Sequence, residues 1–165
     1  MFDLLRWCQW LENTSPAAML RDSIWLFPAV ETLHLIGIVA LVGSTSILDL
    51  RLLGVALQGT SISQLTGRVL PWAWIGFAIQ LVTGFLLFAS EATRVYPNGP
   101  FRLKMLMITA AGINAMVFHL TTNRRAALWE NNRGTPIAAK IAGLSSIVLW
   151  FGIVIAGRFI AYFFD

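Results

Sequence analysis

Ionisable side chains are scarce in this chain, so the positions they occupy carry information. Stretches that are otherwise apolar hold Glu31, His34 and Asp49, then Glu91, Lys104 and His119, and finally Arg158. A charge in hydrocarbon is costly, and such groups mark either a function or a required partner. A neutral imidazole can ligate a metal or a haem iron, which makes His34 and His119 the candidate metal ligands. Glu31, one helical turn before His34, is suited to fix the ring's tautomer from behind. Lys104 and Arg158 are cations that could neutralise carboxylates such as haem propionates.

At about 100° per residue, Glu31, His34, Thr45 and Asp49 fall within about 60° of one another on a helix. Lys104, Ile108, Ala111, Ala115, His119 and Thr122 share a second stripe. Both stripes are expected to face a bundle interior. Depth divides the polar groups into two layers. One holds Glu31, His34, Glu91, Lys104 and Arg158, with Tyr162 and the sulfurs of Met105 and Met107. The other holds His119, Asp49, Arg51 and Arg124. Measured from Arg51 and Arg124, the two histidines differ in depth by about 18 Å, too far for one iron. They serve two sites, or only one of them is a ligand. The plainer alternatives are a hydrogen-bonded His119 near a helix end, structural ion pairs among Glu31, Glu91, Lys104 and Arg158, and an Asp49 anchored by Arg51 or Arg68.

The elements that must position these groups follow from composition. The chain has 165 residues, 57% hydrophobic and 12% charged, with a mean hydropathy of +0.71. Soluble domains carry about 25% charged residues, so this chain has too little polar surface for water. One cysteine excludes a disulfide scaffold. The net charge of +4 does not imply nucleic acid, because no basic run is longer than Arg124-Arg125. Four segments are long and apolar enough to span a bilayer, at about residues 25–53, 69–89, 103–120 and 137–164. The expected fold class is all-α: an integral membrane four-helix bundle over residues 25–165, behind a short N-terminal amphipathic interfacial helix in residues 1–24. Pro71, Pro100 and Pro136 are expected at the helix entries, and Thr135 as an N-cap. Tyr96-Pro97-Asn98-Gly99-Pro100 reads as a tight loop. Trp7 and Trp10 suit the headgroup region, although the same segment could rest on protein. It has no basic start or cleavage site of a signal peptide. Basic residues divide six against six between the two sides; the dense group after the third span points to both termini outside the cytoplasm. Gly152 and Ala156 with Gly37, Gly43 and Gly84 permit close helix contacts within or between subunits, so a homo-oligomer is expected. No phosphate-cradling glycine loop, zinc spacing or serine with a base is present, which leaves hydrolase chemistry without support.

Glu31-Thr32-Leu33-His34-Leu35-Ile36-Gly37 and Leu48-Asp49-Leu50-Arg51-Leu52-Leu53-Gly54 resemble a family of small bacterial four-helix inner-membrane proteins without an assigned activity. So do Pro71-Trp72-Ala73-Trp74, Phe101-Arg102-Leu103-Lys104 and Gly157-Arg158-Phe159-Ile160-Ala161-Tyr162. More distantly, the chain is similar to HemJ-type protoporphyrinogen oxidases and to the membrane domain of copper-resistance protein D. His34 and Lys104 match a histidine early in the first span and a lysine early in the third, and His119 a histidine late in the third. The likeness implies haem b, and a quinone or other redox partner in the inner membrane is expected with it. Copper held by His34, Met105 and Met107 as soft ligands is the alternative. A non-catalytic scaffold, or small-solute transport, is the remaining reading.

Overall fold

The computed structural model describes residues 2–122 and 135–162, and every element among them is helical. The order is α1 (Phe2–Glu12), α2 (Ser15–Asp22), α3 (Leu26–Leu53), α4 (Ile62–Ser90), α5 (Ala92–Val95), α6 (Gly99–Val117), a π-helical turn (Phe118–Thr122) and α7 (Ile137–Phe159). Four of these, α3, α4, α6 with its π turn, and α7, are long and apolar enough to cross a membrane. In their most apolar stretches only 6 to 22% of residues are buried inside the fold. The outward positions, among them Val39, Leu81, Leu106 and Phe151, are themselves apolar. So large an apolar exterior is untenable in water and suited to lipid tails. The chain is an all-α, multi-pass membrane protein.

The four spans follow the expected frame, with corrections at their ends. The second starts at Ile62, well before residue 69, so Pro71 lies inside α4 and not at its entry. The start is set by Ser61, whose side chain accepts a hydrogen bond from the Gln64 backbone N–H at 3.1 Å. Ser61-Ile62-Ser63-Gln64 is a capping-box pattern. Pro71 costs α4 one backbone bond, and membrane helices tolerate such a loss. Gly99 and Pro100 form the first turn of α6, not a loop, because the Asn98 side chain accepts from the Phe101 N–H at 3.1 Å. Thr135 does not cap α7; Pro136 occupies that position.

The close pairs are α3 with α4, α3 with α7, and α6 with α7. Small residues make this possible. A Cβ on Gly76 would lie 2.5 Å from the Leu41 backbone nitrogen, so α3 and α4 touch backbone to backbone. At the far end, Leu52, Ile62 and Ala139 form a core joined by Leu48 and Phe118. At the near end, where α4 finishes, α1 and α2 dock through buried Cys8, Ala17 and Leu20. Glu12 fastens them: one carboxylate oxygen accepts from the Thr93 N–H at 2.9 Å, the other from Arg21 at 3.3 Å. Trp7, Trp10 and Met19 stay exposed. The N-terminal segment thus packs on protein with one face and presents aromatic rings on the other.

Candidate functional site

His34 on α3 meets Thr83 on α4, with Nδ1 2.8 Å from Oγ1. Thr83, only 2% exposed, donates its single hydroxyl proton to the Ile79 carbonyl at 2.6 Å. Its oxygen can then only accept, so the His34 ring donates from Nδ1. Nε2 is left as an unprotonated lone pair. Two further α4 residues hold the ring in place. Gln80 donates to the His34 carbonyl at 2.5 Å, and Gly84 leaves room for the ring, since a Cβ there would come within 3.3 Å of Cε1.

Lys104 enters from α6. Its side chain lies along Gly157 of α7, with Nζ 3.5 Å from where a Cβ would stand, and its charge is within electrostatic range of His34. The ion pairs among the described residues are Arg21 with Glu12 and with Asp22, and Arg94 with Glu91. Lys104 belongs to none of them. The structure therefore brings together a tautomerically fixed imidazole and a cation without a carboxylate, between helices that cross the membrane.

The other expected site residues lie elsewhere. Glu31 is exposed, and the Nδ1 partner is Thr83 in its place. Arg158 is exposed and turned along its own helix: it donates to the Tyr162 hydroxyl at 3.0 Å and stacks 5.3 Å from that ring's centre. Glu91 pairs with Arg94 at 3.0 Å. Met107 fills the space beside Gly152, while Met105 is exposed. His119 sits exposed on the π turn. It is fifteen residues along α6 from Lys104, roughly 22 Å by helical rise. The two histidines are not brought together. Asp49 is buried, but its facing group is Ser146 of α7, not an arginine. Arg51 instead donates to the Thr60 carbonyl at 2.9 Å. Arg124 lies outside the described residues.

Two openings are present away from His34. One of about 300 Å³ lies at Arg6, Trp7 and Trp10, and one of about 270 Å³ lies between α6 and α7 beside Asn114 and Thr121. No three His, Cys, Asp or Glu side chains gather into a metal-holding group among the described residues. Sequence reasoning missed Thr83 and Gln80. Their polarity within an apolar run was the available signal.

Residues 26–163 match the model of a family of unknown function, DUF6644, and the chain belongs to that family. The match covers the four long helices and leaves α1 and α2 outside. No curated protein and no solved structure matches.

Proposed function

We propose that this member of the DUF6644 family is a haem b protein of a bacterial inner membrane that transfers electrons, with His34 as an axial ligand. One observation carries it: Thr83 ties Nδ1–H of His34 to a helix carbonyl and leaves Nε2 free. A histidine held in this way at one nitrogen is prepared to ligate through the other. Lys104 supplies a second requirement. Haem carries two propionates, whose charge is costly in hydrocarbon, and Lys104 is an interior cation with no carboxylate of its own among the described residues.

The donor set fits one imidazole for one iron, because His119 stands at the opposite end of α6. When bound, haem supplies reversible one-electron iron chemistry, at a potential set by the axial ligand and nearby charge. The chain's own residues tune that potential. The hydrogen bond to Thr83 makes the imidazole a better donor, while the positive charge of Lys104 favours the reduced, less positive iron. Both side chains are half-buried between apolar helices. Electron exchange with a quinone or a protein partner, and assembly as a homo-oligomer, complete this reading. The copper alternative gains nothing from Met105 and Met107, which point to separate surroundings.

Chain purified in detergent from haem-replete cells is expected to show a Soret band that shifts on dithionite reduction and is lost in His34→Ala. Lys104→Ala is expected to retain the band and lower the potential. Colourless wild-type protein would overturn the proposal.

A further inference from the structure

We propose that Asp49 is a proton-binding site within the membrane, at the end of the bundle opposite His34. Asp49 is 5% exposed, and its Oδ2 atom is buried with no hydrogen-bond partner. It lies four residues before the end of α3 at Leu53, about 6 Å inside the helix. The packing that buries it is tight. A Cβ on Gly143 of α7 would stand 3.1 Å from the Asp49 carbonyl oxygen and 3.3 Å from Leu52 Cβ. Ser146, nearly one turn further along α7, is the hydroxyl that faces the carboxyl.

The charged groups around it do not compensate a carboxylate. Arg51 on the same helix is committed to the Thr60 carbonyl. Arg68 on α4, Lys140 on α7 and His119 on the π turn are exposed, and Asp49 belongs to none of the ion pairs among the described residues. A buried carboxylate with no counter-charge is far more costly than a buried neutral acid. A structural anchor would have both oxygens bonded. Here the carboxyl has only the Ser146 hydroxyl beside it and its Oδ2 has no partner, which is the condition for taking up a small cation. One carboxyl and one hydroxyl are too few ligands for a divalent ion, whereas a proton needs a single oxygen. The bond formed is Oδ2–H, with the proton taken from water beyond Leu53, at the far end of the bundle, and returned there.

The test is infrared spectroscopy of the full chain in lipid vesicles, stepped through pH without haem, so that its outcome is independent of the His34 reading. A carboxylic-acid C=O band at neutral pH is expected. It should vanish in Asp49→Asn, shift in Ser146→Ala, and persist unchanged in Asp22→Asn. Absence of the band from wild type, its survival in Asp49→Asn, or its replacement by a carboxylate band on adding sodium at fixed pH would overturn the proposal. If Asp49→Asn does not fold, the band's response to Ser146→Ala decides the matter: no shift overturns the assignment.

Discussion

At the scale of single residues, the chemistry depends on which partner holds the His34 ring. The sequence offers Glu31 one turn away on the same helix. The structure uses Thr83 from α4, which angular arithmetic on one helix cannot find because the contact depends on how two helices pack. His34 and Lys104 were legible because a charged or titratable group in an apolar run has few bland explanations. Thr83 was not, since hydroxyl residues in membrane helices often bond only to their own backbone. The two assignments differ experimentally. Thr83→Val keeps the shape and leaves Nδ1–H unsatisfied, so haemin affinity of the apo chain should fall about 10- to 100-fold. Thr83→Ser should retain it, and Glu31→Gln should leave it at the wild-type value. Titration of haemin by absorbance distinguishes these outcomes, and a loss in Glu31→Gln equal to that in Thr83→Val would restore Glu31 as the partner.

At the scale of elements, four apolar runs gave the four spans directly, because length and hydropathy are properties of each segment alone. What failed to show were the features set by neighbours or by short polar signals. The start of α4 was written in Ser61 and Gln64, but the eye is drawn to Pro71, which the helix simply accommodates. The π turn at Phe118–Thr122 leaves no mark in composition. Helix contacts behave likewise. Gly43 and Gly76 look equivalent in sequence, yet an added methyl at Gly43 meets nothing within 4 Å, while one at Gly76 runs into the Leu41 backbone. Gly76→Ala should therefore force α3 from α4 and destabilise the fold by about 1–3 kcal/mol. Gly43→Ala should be neutral or stabilising by up to about 1 kcal/mol through helix propensity. Denaturant midpoints measured in one detergent check the contrast, and equal midpoints would refute the backbone contact.

At the scale of the whole molecule, the N-terminal helices stand outside the span matched by the family, yet they are tied to its near end by one side chain. Glu12 joins α1 to α2 through Arg21 and to α5 through Thr93. Cys8, the chain's only cysteine, is buried under that clamp and reports on it. Burial raises the Cys8 thiol above its ordinary pKa, and the Glu12 carboxylate raises it further. A raised thiol pKa means less thiolate at a given pH, and the thiolate is the species that reacts. Maleimide labelling in vesicles should accordingly be slow, with its rise displaced to high pH. Glu12→Gln removes the charge but can still accept from Thr93, so the rise should move to lower pH while the plateau rate stays low. Glu12→Ala removes charge and clamp together, so labelling should become faster at every pH as α1 lifts from the bundle. If both variants label like wild type, Glu12 neither fastens the helices nor acts on Cys8, and the contact of Cys8 with the bundle would have to rest on the apolar packing of Ala17 and Leu20 alone.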